Sequence, residues 1–170
     1  MKSLFLVVLY LSVALDASAQ VRMTPRPLDP LAAETLEQAM GGSPLVRDLV
    51  RQLEASNLVV HIESSRGLPS GVSGTMRFVT SRGGFRYVRI SLGMDLRHEA
   101  RAAILGHELQ HACEIAASDA HDMDAVRRLY QESGHHPTHA EDVFETRAAL
   151  LVERQVKAEL RIDHGDRGGK

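Results

Sequence analysis

The segment 104–113, ILGHELQHAC, constrains this chain more than any other stretch of its sequence. It contains the pattern H-E-x-x-H, in which His107 and His111 are four residues apart and Glu108 follows the first histidine. On an α-helix, residues four apart lie on one face, so both imidazoles can reach one ion. Zinc is the usual ion at such a pair, and Glu108 would lie beside it as a general base. The pattern therefore predicts a helix with a zinc site.

A buried helix with two hydrogen-bonded core histidines is the alternative to this zinc site. The positions that flank the motif and separate its histidines are uncharged, among them Leu109 and Gln110. A helix that shields a metal from solvent needs such residues, so this context favours the metal site.

Length and composition restrict the chain to a few classes of protein. With 170 residues, 44% of them hydrophobic, it can bury one core, so we expect one domain. The net charge of −2 supplies no basic surface for nucleic acid, and we expect none as a partner. The single cysteine, Cys113, excludes an intrachain disulfide, and its place off the metal face predicts a small buried residue.

The N-terminal residues 1–19 are typical of a signal peptide. Lys2 supplies a positive charge, residues 4–15 form an apolar run, and Ala17-Ser18-Ala19 offers small residues for cleavage between Ala19 and Gln20. An uncleaved membrane anchor is the alternative, but the apolar run is shorter than the roughly 20 residues needed to span a bilayer. We therefore expect a secreted or periplasmic protein that has no membrane association after cleavage.

The rest of the chain predicts an α+β fold. Residues 20–42 read as a linker with a short helix, 43–162 as the folded domain and 163–170 as a disordered tail. Three strands are predicted to form a small antiparallel sheet packed on the H-E-x-x-H helix, with further helices before and after it. These strands are Leu58–Ser64, Thr75–Thr80 and Phe85–Leu92, the last two joined by a hairpin turn at 81–84.

A third metal ligand is predicted on a last helix over 141–161. With Glu145 in that helix, its carboxylate lies in the middle of an apolar stripe made by Ala148, Ala149, Val152, Val156 and Leu160. A carboxylate on such a stripe is costly to bury without a metal or a charged partner. Zinc bound by His107 and His111 needs such a ligand, so Glu145 is the predicted third one. A buried salt bridge of Glu145 with an arginine is the alternative.

Other candidate ligands are weaker. Glu141 lies one turn earlier on the same stripe, and Glu114 is too far along its helix to bind the same ion easily, which leaves it an outer hydrogen bond or a plain buried polar role. Two acids, Asp142 and Glu153, are predicted to face solvent. His61 is expected on the surface of a strand, and His135, His136 and His139 are expected in a surface loop.

These residues resemble the zincin metallopeptidases, and within them the gluzincins, in which a glutamate from a later helix completes the metal site. Metzincins would have a glycine and a histidine where this chain has Glu114 and Ala117. The order of signal peptide, small sheet, HELQHA and a later ETRAA segment is similar to that of short exported bacterial proteins thought to be peptidases. One departure is Ala149, which stands where larger gluzincins carry an acid that orients a histidine.

The resemblance implies a monomeric, exported zinc metallopeptidase whose substrate is a peptide or protein. Glu108 would be the general base, and Tyr130 would stabilise the oxyanion, with a plain core tyrosine as the alternative. An edge strand would pair with extended substrate, and Arg86–Ser91 is the candidate for it. The alternative function is an exported zinc-binding protein whose metal is structural or regulatory, without catalysis.

Overall fold

The computed structural model describes residues 25–132 and 144–167, which form an α+β fold with a four-stranded mixed sheet and five helices. The predicted signal peptide, the histidines His135, His136 and His139, and the acids Glu141 and Asp142 lie outside the described residues. Among the described residues, no helix is long and apolar enough to cross a membrane. The elements in chain order are β1 (Arg26–Pro27), α1 (Pro30–Gly42), α2 (Pro44–Glu54), β2 (Leu58–Ser65), β3 (Gly74–Arg82), β4 (Phe85–Gly93), α3 (His98–Ala116), α4 (Met123–Glu132) and α5 (Arg147–Arg167).

The sheet differs from the predicted one in strand order and direction. Its order is β1-β2-β4-β3, with β2 parallel to both β1 and β4, and with β3 antiparallel to β4. The predicted antiparallel sheet of three strands is therefore wrong. The hairpin itself forms as expected, and its turn residues Gly83 and Gly84 have positive φ values of 62° and 81°.

The loop between β2 and β3 explains the difference. Residues 66–73 form a connection long enough for β3 to lie two strand positions from β2. After the tight hairpin, β4 occupies the position between β2 and β3. In that interior position β4 pairs with β2 from Leu58↔Arg86 to Ser65↔Gly93. The predicted edge, Arg86–Ser91, is thus an interior strand. Among the described residues, β3 is the edge strand on this side of the sheet.

Side-chain caps fix the starts of α1 and α2. A carboxylate oxygen of Asp29 accepts a hydrogen bond from the backbone N–H of Ala32 at 2.9 Å, and the other accepts one from the N–H of Ser64 at 2.7 Å. Asp29 therefore joins the start of α1 to strand β2. At the start of α2, the Oγ of Ser43 accepts a hydrogen bond from the N–H of Val46 at 3.1 Å.

Helix α3 is the central element, and it contacts α1, α2, α5 and strands β2, β3 and β4. It begins at His98 after Arg97, which provides no side-chain cap. Its C-terminal carbonyls are bound by the buried guanidinium of Arg86, which donates to Ile115 O at 2.7 Å and to Ala116 O at 3.0 Å. The first residues of β4 therefore fix the end of the helix that carries the motif.

Candidate metal centre

His107 and His111 come together on α3 as the sequence predicts. Both side chains are buried, with 7% and 3% of each residue exposed, and their Nε2 atoms lie 3.2 Å apart. The two rings meet edge to face, with their centroids 4.9 Å apart. Two imidazole nitrogens this close, both directed to the same point, form the beginning of a metal site.

Glu145 completes the group from the segment that precedes α5. Its Oε1 lies 3.4 Å from His107 Nε2. The candidate ligand atoms of His107, His111 and Glu145 all lie within 4.8 Å of one another, so these three residues could hold a metal ion. Glu145 Oε1 is buried and has no hydrogen-bond partner among the described residues. An orphaned buried carboxylate oxygen beside two imidazole nitrogens is what a cation would satisfy.

The spacing of these atoms fits a tetrahedral ion. Ligands at about 2.0–2.1 Å from such an ion lie about 3.3–3.4 Å from each other. The two distances between ligand atoms at His107, 3.2 Å to His111 and 3.4 Å to Glu145, agree with that value. The residues present therefore fit a small divalent metal with two nitrogen ligands and one carboxylate.

The helical placement predicted for Glu145 is wrong, although the residue is where the site needs it. Residues 144–146 are not helical, and α5 begins at Arg147. Thr146 causes this start, because its Oγ1 accepts a hydrogen bond from the N–H of Ala149 at 3.0 Å. Glu145 thus reaches the histidines from the non-helical residues before the cap.

Two further carboxylates contact the far sides of the histidine rings. Glu114 Oε2 lies 3.0 Å from His111 Nδ1, and Glu153 Oε2 lies 3.4 Å from His107 Nδ1. An acid hydrogen-bonded to Nδ1 fixes the tautomer and orientation of a metal-binding histidine, and Glu114 makes such a bond to His111. Glu153 is close to His107 Nδ1, but that nitrogen has no hydrogen-bond partner among the described residues. The open alternatives for Glu114 are thereby decided in favour of the outer hydrogen bond. Glu114 and Glu153 are therefore the acids next to the histidines, at a site where Ala149 has no carboxylate to offer.

The solvent-facing placement predicted for Glu153 is wrong, since only 18% of its side chain is exposed. Lys157 Nζ donates to its other oxygen, one turn along α5. The sequence did contain a signal for this position. Glu153 is four residues after Ala149 and three before Val156, so it borders the apolar stripe that the sequence had already defined.

Thr146 connects the third ligand to the second histidine. Its hydroxyl donates to Glu114 Oε1 at 2.8 Å while Glu114 Oε2 contacts His111, and only 3% of Thr146 is exposed. The residue next to Glu145 is therefore tied to the acid that orients His111. No property of a single threonine in the sequence predicts this contact, because it depends on how α5 crosses α3.

Tyr130 of α4 is fully buried on the Nδ1 side of His111. Its hydroxyl lies 3.3 Å from that nitrogen, and its ring stacks on Phe144 at a centroid distance of 4.5 Å. The metal-directed Nε2 of His111 is on the opposite side of the ring. This arrangement suits Tyr130 to orienting His111. Its stacking partner, Phe144, is the residue directly before Glu145, so Tyr130 also packs against the segment that carries the third candidate ligand.

Glu108 is buried beside the first residue of the edge strand. A Cβ atom added to Gly74 would lie 2.9 Å from Glu108 Oε1 and 2.5 Å from the side chain of Ile104. Only a glycine therefore lets β3 approach α3 this closely. The approach covers the carboxylate with backbone, which leaves Glu108 5% exposed.

The pKa values follow from burial and from the surrounding charges. Burial raises the pKa of Glu108 to about 7, with Glu145 and Glu153 adding to the rise. Burial and the neighbouring His111 lower the pKa of His107 to about 4, so its ring is neutral at pH 7 and able to bind metal. Burial also acts to lower the pKa of His111, but its hydrogen bond to Glu114 and the nearby acids raise it overall.

Comparison with known proteins finds no matching family model, no matching curated protein and no matching solved structure. The case for a function therefore rests on the H-E-x-x-H motif and on the geometry of the three residues His107, His111 and Glu145.

Proposed function

We propose that the protein is an exported zinc metallopeptidase that hydrolyses peptide bonds. The observation that carries the proposal is the convergence of His107 Nε2, His111 Nε2 and the orphaned Glu145 Oε1, with Glu108 buried on the same helix. His107, His111 and Glu145 would hold the zinc, and a set of two imidazoles and one carboxylate is typical of catalytic rather than structural zinc sites. When bound, zinc would polarise the scissile carbonyl and make a water more acidic.

Glu108 has the properties that a general base needs. It is a buried carboxylate on the helix that carries both histidines, so it can accept a proton from the attacking water and then donate it to the leaving amine. The amine must be protonated because an amide anion is a very poor leaving group. A metal site with a purely structural role has no use for a buried carboxylate of this kind, so Glu108 favours the enzyme over the alternative function.

The edge strand supplies a place for an extended substrate. Gly74 lies against Glu108, and β3 is the last strand of the described sheet on this side. A peptide paired with β3 would run past the general base, with hydrogen bonds to the exposed backbone groups of the strand. This replaces the interior strand β4 as the proposed binding edge.

The test measures zinc content and casein cleavage for the wild type, Glu108→Gln and Glu145→Ala. The proposal predicts that Glu108→Gln keeps one zinc per chain and loses cleavage by a factor of at least 100, while Glu145→Ala loses zinc as well. The exposed Glu37 of α1 provides a matched control, since Glu37→Gln makes the same chemical change at a solvent-facing position. If Glu108→Gln cleaves casein at the wild-type rate, the proposed mechanism is wrong. If the wild type binds zinc but cleaves nothing, the metal has a structural or regulatory role.

A further inference from the structure

A row of basic side chains crosses the outer face of the sheet. The register pairs Arg26 with His61, His61 with Arg89, and Arg89 with Arg77, so one residue of each strand takes part. We call these four residues the basic row. Direct partners in a sheet point to the same face. The three arginines are exposed and His61 is half-buried, as expected of the face that is turned away from the helices.

The other face of the same strands confirms this orientation. Neighbours of the basic row along their strands, Ile62, Ile90 and Met76, are buried in the core. Successive residues of a strand alternate between faces, so the basic row must point outward. Across four strands about 4.8 Å apart, the row extends over about 14 Å from Arg26 to Arg77.

Two arginines of the basic row differ in their acidic neighbours. Glu63 Oε2 lies 3.6 Å from Arg89 Nη1, whereas Arg77 forms no ion pair with any of the described residues. The charges act on one another, because the pKa of His61 is lowered first by burial and then by Arg26 and Arg89. Like charges on direct neighbours destabilise a sheet, so an anionic partner would relieve a cost that the fold carries.

Arg77 ends the basic row at the edge next to the proposed active site. Gly74 contacts Glu108, and Arg77 lies three residues further along β3, about 10 Å away. Beyond it, the register shifts between Phe78 and Thr80, and Ser81 Oγ donates to His121 O at 2.7 Å. A bulge interrupts the regular backbone hydrogen bonds that an added strand needs. The regular part of this edge is therefore Gly74–Phe78.

We propose that the basic row selects peptide substrates with an acidic residue three positions from the cleaved bond, opposite Arg77. This rests on the proposed function, because the cleaved bond is located by Glu108. A substrate strand paired with Gly74–Phe78 would place one side chain directly opposite Arg77 on the outer face, with Cβ atoms about 4.5–5.5 Å apart. A carboxylate there would lie next to the basic row and face the positive charge of Arg77.

The test begins with digestion of an unbiased library of synthetic peptides by the zinc-loaded full chain. One cleaved peptide is then remade with Glu, Gln or Lys at each position two to four residues on either side of the cut. We expect a preference for Glu over Lys of about tenfold in kcat/KM at the position three residues from the cut, on one side only, and we expect this preference to decrease at high ionic strength.

Variants of β3 then assign the preference to a residue. In Arg77→Glu the preference should reverse, so that the Lys peptide is cleaved faster than the Glu peptide. In Arg77→Gln the preference should disappear. Arg82→Glu is the matched control, since it makes the same charge change on the same strand beyond the bulge, and it should keep the wild-type preference. Binding of the labelled Glu, Gln and Lys peptides to Glu108→Gln, followed by fluorescence anisotropy, gives a readout that needs no turnover.

The possible results separate the two proposals. Cleavage without any preference for Glu, or a preference that persists in Arg77→Glu, would overturn the role of the basic row and leave the peptidase intact. Equal binding of the three peptides to Glu108→Gln would do the same. Absence of cleavage for every library member would overturn the peptidase, and the substrate preference with it.

Discussion

At the scale of single residues, the candidate metal centre is held by contacts around the ligands as much as by the ligands. Glu114 and Glu153 each face the Nδ1 atom of one histidine, and Thr146 joins Glu114 to the segment that carries Glu145. Acids beside the Nδ1 atoms favour the ring orientations in which both Nε2 atoms point at one ion.

Thr146 provides the sharpest test of this arrangement. Thr146→Val keeps the shape of the side chain and removes the hydroxyl, so it breaks the hydrogen bond to Glu114 and the cap of α5. We expect zinc affinity to fall about 10- to 100-fold, with a loss of about 1 kcal/mol in the free energy of unfolding of the metal-free protein. Competition with a chelator measures the affinity, and denaturation in EDTA measures the stability.

Thr146→Ser is the matched control, because it keeps the hydroxyl and should keep most of the affinity. The double variant Thr146→Val, Glu114→Ala should bind zinc no more weakly than Glu114→Ala alone, since both changes remove one interaction. Fully additive losses in that pair would show that Thr146 does not act through Glu114.

At the scale of elements, the site depends on how closely α3 approaches α5 and β3. Gly106 lies one residue before the first histidine, and a Cβ atom added to it would lie 2.9 Å from Val156 Cγ2 and 3.4 Å from Val152 Cγ1. These branched side chains have few rotamers with which to move aside. Any shift of α5 would also move Glu153 relative to His107.

Gly106→Ala should therefore destabilise the protein by about 1–2 kcal/mol, because the cost of overpacking exceeds the gain in helix propensity. It should also weaken zinc binding, as α5 moves away from α3. Gly41→Ala in α1 is the matched control, since its added Cβ meets nothing within 4 Å, and it should be neutral or stabilising. Thermal unfolding and zinc titration of both variants measure these effects, and equal behaviour of the two would contradict the close packing.

The elements also show where reading the sequence succeeds and where it stops. Periodicity and turn residues were enough to predict the hairpin and the helix that carries His107 and His111. Strand order was not accessible, because it depends on how far the loop 66–73 carries the chain before the hairpin turns back. Glu145 was identified because a carboxylate beside an apolar stripe needs a partner, yet its place before the helix depends on the cap formed by Thr146.

At the scale of the whole molecule, the buried Glu108 couples the stability of the metal-free protein to pH. Its pKa rises from 4.5 to about 7 on folding, so the folded state holds the proton more tightly than the unfolded state. The stability that this group contributes is fully present below pH 4.5 and is lost as the pH rises through 7. At 1.36 kcal/mol for each pKa unit, the loss amounts to about 3 kcal/mol.

Glu108→Gln should remove this loss. The quantity to compare is the free energy of unfolding of the variant minus that of the wild type, both in EDTA. We expect this difference to be about 2–3 kcal/mol larger at pH 8 than at pH 5. The opposite contribution of His107, whose stabilisation is lost as the pH falls from 6.5 toward 4, is common to both proteins and cancels in the comparison. Urea denaturation at the two pH values measures the difference, and an equal difference at both would contradict a buried, ionisable Glu108.

Zinc should stabilise the whole domain, because the ion joins α3 to the segment before α5. At a free zinc concentration of 100 times Kd, the gain is about 2.7 kcal/mol, and we expect a rise in Tm of about 10 °C. Glu145→Ala should lose most of this rise, whereas Glu37→Gln should keep it. A wild-type Tm that does not change on addition of zinc after EDTA treatment would contradict a site shared by the two elements.

Anomalous diffraction at the zinc edge, from crystals of the zinc-loaded protein, shows whether two imidazoles and one carboxylate bind a single zinc. We expect one anomalous peak per chain, about 2.0–2.2 Å from His107 Nε2, His111 Nε2 and a carboxylate oxygen of Glu145, with a fourth position open to solvent. No peak at this position, or a peak bound by the histidines without Glu145, would contradict this expectation.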